Sequence, residues 1–157
     1  MVTFKEELMR ILEKQLDLLI NLDRVVVEKT ELIIDNDVDR LNEMITKEER
    51  LIDKIASLEL EREHLLDSWG ITKEMPLSTI ISEMPGEKKD IEILREKLCN
   101  ILISIDEKNK TNNFLIKDSL EWIEFNLNLM TNATTPYIYG NENKKTSSKN
   151  NFFDRQV

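Results

Sequence analysis

Apolar residues recur along this chain at alternating steps of four and three, over stretches far too long for a strand. Phe4, Leu8, Ile11, Gln15, Leu18, Leu22, Val25, Lys29 and Leu32 form the first such seam. This is the spacing of a helix that packs lengthwise against other helices, here with two polar interruptions. Leu12, Leu19 and Val26 widen the stripe beyond two positions per heptad, which suits a bundle helix. Thr3 with Glu6 predicts a capping box at its start, and the segment runs to about Ile34. With only three glycines and three prolines in 157 residues and 34% charged residues, the composition is that of long helices rather than of a sheet.

Asp35-Asn36-Asp37 is a short polar break. Asp37 is a good N-cap for a second helix, and Asp39 is favourable near its positive end. That segment carries Val38, Leu41, Ile45, Ile52, Ile55, Leu58, Leu65, Leu66 and Trp69, and Gly70 stands where a C-terminal glycine is expected. Two helices of about 30 residues would each be ~45 Å long, and the short break makes them an antiparallel hairpin. Between Gly70 and Glu87, Pro76, Pro85 and Gly86 punctuate the chain, and residues 77–84 predict a short helix capped by Ser78. The third long segment runs from about Glu87 to Met130. Its seam is Ile91, Leu94, Leu98, Ile101, Ile105, then polar Lys108 and Asn112, then Leu115, Ser119, Trp122, Asn126 and Leu129. At ~65 Å it is longer than the hairpin, so one end should overhang. The expected fold is all-α: an elongated antiparallel helical hairpin packed with a longer third helix. Residues 1–130 form the helical domain. Residues 131–157 are rich in Asn, Thr, Ser and Lys and lack periodicity, so a flexible polar tail is expected.

Charge and chemistry narrow the function. The net charge of −9 disfavours nucleic acid as a partner, because phosphate neutralisation needs Lys and Arg. Residues 1–130 carry −11 and the tail +2, an acidic body with a mildly basic end. Cys99 is alone, which leaves no disulfide framework and no cysteine zinc site; a buried, inert thiol is expected. The N-terminus lacks the pattern of a signal peptide. No run reaches the length of a membrane span, so membrane insertion is not expected. These features fit a cytoplasmic protein. His64 has no second metal ligand at helical spacing. The Glu48-Glu49 pair and the Glu59, Glu61 and Glu63 cluster read as solvated helix faces supporting Lys and Arg neighbours. No phosphate loop or nucleophile arrangement is present. The expectation is a protein without cofactor or metal that is not an enzyme.

The unusual features are at the C-terminal end. Asn109, Asn112 and Asn113 interrupt the third seam, either as a polar layer that sets register or as a patch marking where the bundle ends. Beyond them the helix becomes apolar on nearly every side. Leu115, Ser119, Trp122, Asn126 and Leu129 make one stripe. Ile116, Leu120, Ile123, Leu127 and Met130 make a second, offset by one residue. A helix apolar all round must be covered. The cover is either a partner helix laid on the second stripe or a larger bundle or homodimer. Phe152 and Phe153 stand in the polar tail as a recognition motif, an intramolecular latch or a chance pair.

The run from Glu107 through Asn112-Asn113-Phe114-Leu115, followed by Ser119-Leu120-Glu121-Trp122-Ile123-Glu124-Phe125-Asn126-Leu127, resembles the FlgN family of bacterial flagellar export chaperones. The polar tail with Tyr139-Gly140 and the closing Phe152-Phe153-Asp154-Arg155-Gln156-Val157 is similar to the version in Gram-positive flagellated bacteria. Asp37-Val38-Asp39-Arg40-Leu41, with Lys47-Glu48-Glu49 and Leu51, resembles the family's second helix. The resemblance spans nearly the whole chain. It implies a cytoplasmic chaperone that binds the C-terminal helical segments of hook-associated (hook–filament junction) proteins. Such a chaperone would prevent their premature assembly and deliver them to the type III export gate, without nucleotide or metal. It also implies a client region toward the C-terminal end, where the reading of the residues places the surplus apolar surface. The competing reading is a structural coiled-coil subunit of a secretion apparatus or a homo-oligomeric scaffold.

Overall fold

The computed structural model describes residues 1–131; the side chains of Ser119, residues 122–127 and Thr131 lie outside that description, as do residues 132–157. The expected flexible tail and the Phe152-Phe153 motif therefore fall outside the described residues. The chain forms α1 (Phe4–Ile34), α2 (Val38–Ser68), α3 (Leu77–Glu83) and α4 (Lys89–Thr131). No strand is present among the described residues.

Local chemistry explains where the helices begin and end. The Thr3 hydroxyl accepts from the Glu6 N–H at 3.2 Å and the Glu6 carboxylate accepts from the Thr3 N–H at 3.1 Å. This is the reciprocal capping box the sequence predicts. Asp37 caps α2 by accepting from the Arg40 N–H. α1 and α2 end in the same motif. Asn36 (φ 55°) and Gly70 (φ 71°) enter the left-handed region. Asn36 N–H then donates to Ile33 and Asp37 N–H to Leu32; Gly70 N–H donates to Asp67 and Ile71 N–H to Leu66. Each pair of bonds satisfies two terminal carbonyls and turns the chain away.

Two boundaries differ from expectation. Pro76, not Ser78, takes the N-cap position of α3, with φ −58° and no side-chain cap bond. Proline's fixed φ suits entry to a helix, and its carbonyl accepts from Thr79 and Ile80. The long third segment starts as a helix at Lys89 rather than Glu87, with the Glu87 carboxylate accepting from the Lys89 N–H.

α1 is the middle helix. It runs antiparallel to α2, as the Arg10–Glu61 and Lys29–Glu48 pairs show. It runs parallel to α4, as Lys5–Asp90 and Asp23–Lys108 show. Among the described residues α1 packs closely along both neighbours, while the backbones of α2 and α4 do not approach each other. Serving two neighbours explains why Leu12, Leu19 and Val26 are buried alongside the narrow seam, whereas Phe4 and Leu18 are only half-buried. The core is thickest at the base. There Ile80, Ile81 and Met84 close the end of the hairpin against Leu8, Leu66 and Ile91. Higher up α2 is weakly covered: Leu41, Ile45, Ile52, Ile55 and Leu58 are all half-buried.

Gly70 tests the turn chemistry. A methyl group added there meets nothing within 4 Å, so only the backbone conformation opposes it. Gly70→Ala should lower stability by about 1–2 kcal/mol, read as a lower urea midpoint with an unchanged slope.

Candidate functional site

The length mismatch between α1 and α4 defines the site. Parallel pairing of the two helices is fixed by Lys5 with Asp90, Asp23 with Ser104 and Lys108, and Thr30 and the Val26 carbonyl with Asn112. These pairs share nearly one offset, which puts the end of α1 at Ile34 level with the stretch just before Ser119. The last three to four turns of α4, about 20 Å of helix, thus extend past the hairpin. The overhang is at the C-terminal end, as the sequence predicts.

Of the second stripe, Ile116 and Leu120 are half-buried and Met130 is 83% exposed. The side chains of Ile123 and Leu127 lie outside the described residues. Leu129, from the first stripe, is 62% exposed, and Phe114 is 67% exposed. No described element covers this end of α4. Fully burying one such side chain is worth roughly 1.5–3 kcal/mol, so several together offset the cost of ordering a partner segment.

Beneath the overhang lies a polar layer. Asn112 is fully buried; its amide donates to the Val26 carbonyl at 3.2 Å and its oxygen accepts from the Thr30 hydroxyl. This matches the register-setting reading of the asparagines. Asn109 is also buried, and neither of its amide atoms has a hydrogen-bond partner among the described residues. Nearby on α1, Lys29 Nζ meets Glu48 Oε2 at 2.6 Å with both side chains wholly buried. Burial pushes the Glu48 carboxyl above its ordinary value and pulls the Lys29 ammonium below its own, and their mutual attraction opposes both shifts.

Glu48 therefore corrects the reading of Glu48-Glu49 as a solvated pair; only Glu49 is exposed. The signal was present in the spacing. Leu41, Ile45, Glu48, Ile52 and Ile55 continue the four–three rhythm, so Glu48 holds a seam position. Gln15, the other interruption in α1, is matched in the same way. Its amide donates to Glu59 at 3.1 Å, and Glu59 is held below its ordinary value by hydrogen bonding from Arg62. His64 is exposed, and no group of ligating side chains able to hold a metal occurs among the described residues. No described helix is long and apolar enough to cross a membrane.

Cys99 is a second correction: the thiol is exposed rather than buried. It lies beside a cleft of about 550 Å³ between α2 and α4, floored by Leu12 and Leu19 of α1 and walled by Ile55, Leu98 and Leu102. The cleft exists because α2 and α4 do not close over α1. A second apolar hollow of about 520 Å³ lies at the opposite end from the overhang, beside Phe4 and Trp69.

The family model described as FlgN protein matches residues 1–147, and the chain belongs to that family. A Bacillus subtilis (strain 168) protein, the uncharacterized protein YvyG, is 27% identical over 135 residues, covering 83% of this chain and 84% of its own length. No solved structure matches the chain.

The buried pair can be tested directly. Lys29→Met should destabilise the fold by about 3–5 kcal/mol by stranding a buried carboxylate. Combining it with Glu48→Leu should restore stability to the native level or above. The pH dependence has a definite sign. Glu48 already lies above its ordinary value in the native chain, and Lys29→Met removes the attraction that opposes this, so the carboxyl rises further in the variant. Between the unfolded and the raised value the folded state binds more protons than the unfolded one, and more so in the variant. Stability then falls as pH rises. The gap between variant and native urea midpoints should therefore narrow as pH is lowered from 7 toward 5.

Proposed function

We propose that this member of the FlgN family, a family of flagellar export chaperones, binds the C-terminal helical segments of hook-associated junction proteins in the cytoplasm. In this reading the client lies along the second stripe of α4: Ile116, Leu120, Ile123, Leu127 and Met130. The observation that carries the reading is the overhang. A helix with apolar residues on two adjacent stripes extends past the two helices that would otherwise bury them. A client segment that is disordered alone folds onto this surface and hides the apolar residues with which it would polymerise.

The mechanism is physical capping and calls for no bond-making step, consistent with a chaperone family rather than an enzyme family. Binding energy comes from apolar burial and is offset by ordering of the client. The affinity is therefore set by how much of the stripe the client covers. Delivery to the type III export gate follows from a complex that keeps the tail available. In that reading Phe152 and Phe153 form a recognition motif for an export component.

Leu120→Asp with Ile123→Asp should abolish binding of a C-terminal junction-protein peptide in fluorescence anisotropy while far-ultraviolet circular dichroism changes little. Collapse of the helical signal would instead make these residues part of the chain's own core. A stable homodimer that hides residues 115–130 and ignores the peptide would favour a scaffold. Deleting residues 141–157 should leave the bundle folded and the peptide bound but weaken capture of export-gate components. Unchanged capture would remove the Phe152-Phe153 motif from the mechanism.

A further inference from the structure

The cleft between α2 and α4 lies on the same side of α4 as the proposed client stripe. Taking 100° per residue, Leu98, Leu102, Asn109, Asn113, Ile116, Leu120 and Leu127 fall within a sector of about 60°. The lower part of this track is the cleft, where Leu98 and Leu102 face Ile55 of α2 across Leu12 and Leu19 of α1. Leu102 is 42% exposed there. The middle part is polar, with Asp106, Asn109 and Asn113. The upper part is the overhang. Three helices with α1 in the middle and α2 and α4 apart leave the fourth position of a bundle open along that side, down to the Met75–Ser78 stretch that closes the lower end of the cleft.

From this arrangement we infer that the client helix is seated in the α2–α4 cleft as well as on the overhang, completing a four-helix arrangement along α4 from Leu98 to Leu127. The inference rests on the client reading above and adds the length, pattern and charge of the occupant. The track spans roughly 44 Å, so the seated helix has about 30 residues. Its pattern is apolar, then polar, then apolar. The polar turn lies over the Asp106–Asn113 stretch, where Asp106 and Asn113 are half-buried above the already buried Asn109, because an apolar side chain placed there would take what remains of their polar surface from water. That polar turn fixes the register of the client as buried polar positions do in coiled coils.

Charge selects the lower end. Arg62 is engaged by Glu59. Arg95, half-buried at the cleft, forms no ion pair or hydrogen bond among the described residues. The seated helix therefore presents a carboxylate to Arg95 in its lower half. A second copy of this chain is the poorer fit, because the cleft is walled on both sides and the only single helix a second copy extends among its described residues is the ~20 Å overhang of α4, too short for a track of about 44 Å.

Cys99 reports on the cleft, since it is the only cysteine in the chain and is exposed there. The test measures its alkylation by N-ethylmaleimide in the full-length chain, with and without a saturating 40-residue C-terminal peptide of a junction protein. Seating in the cleft should slow alkylation at least tenfold, and Leu102→Asp should weaken peptide binding at least tenfold with helicity retained. Arg95→Glu should weaken it severalfold, with recovery when the peptide's lower acidic residue is changed to lysine. If the peptide binds and Leu120→Asp with Ile123→Asp abolishes that binding, yet Cys99 reacts at its free rate, the cleft is not part of the seat and the overhang reading stands alone. If no peptide binds, both readings fall. If Cys99 is protected in the free chain in proportion to protein concentration, a second copy fills the cleft and the inference is overturned.

Discussion

Everything in this fold depends on α1 having two neighbours that do not have each other. α1 holds α2 by apolar contact at the base and by two polar pairs above it, Gln15 with Glu59 and Lys29 with Glu48. It holds α4 by a parallel ladder from Lys5–Asp90 to Thr30–Asn112. Because α2 and α4 stand apart, one long side of the assembly stays open. Because α4 has 43 residues and α1 has 31, one end stays uncovered. The open side and the uncovered end meet on one face of α4. A closed three-helix bundle with the same helix lengths would keep the uncovered end but lose the open side.

The polar layer formed by Lys29, Glu48, Asn109 and Asn112 divides this structure in two. Below it lies a conventional apolar core; above it α1 continues for little more than a turn before α4 runs on alone. A buried ion pair is weak evidence for stability, since desolvation consumes much of the attraction. Its value here is positional. Lys29 and Glu48 are wholly buried and must meet, so a slip of α1 against α2 strands two charges. Asn112 does the same for α4, bonding to both Thr30 and the Val26 carbonyl. Seams of Leu and Ile alone permit slippage by a heptad, and a slip by seven residues would retract or extend the overhang by about 10 Å. The layer thus sets how much of α4 is left for a partner.

Much of this architecture was legible in the sequence, because helix ends are written in local chemistry. Thr3 with Glu6, Asp37 and Gly70 act as their residue types predict, and the overhang follows from counting residues against rise. What was missed depends on which helices meet. Glu48 looked like one of many surface carboxylates until α2 was laid antiparallel to α1, which sets it opposite Lys29. Two residues of opposite charge, each interrupting a seam on either side of the same turn, were the available clue. Cys99 was read as buried from its apolar neighbours, but a helix face is buried only if something covers it, and α2 stands off. The stripe on α4 was visible as an excess of apolar residues, whereas the cleft that continues it was not, since no single segment encodes a gap between two others.

The central claim is that the open side of α4, from the cleft through the overhang, is where a client helix lies. Hydrogen–deuterium exchange on the full-length chain, with and without a saturating junction-protein C-terminal peptide, tests it most directly. The account predicts slowed amide exchange along α4 from about Leu98 to Thr131 and along the cleft-facing part of α2 around Ile55, with the base near Ile80 unchanged. Protection confined to the base or to the first half of α2, with α4 exchanging as in the free chain, would contradict it.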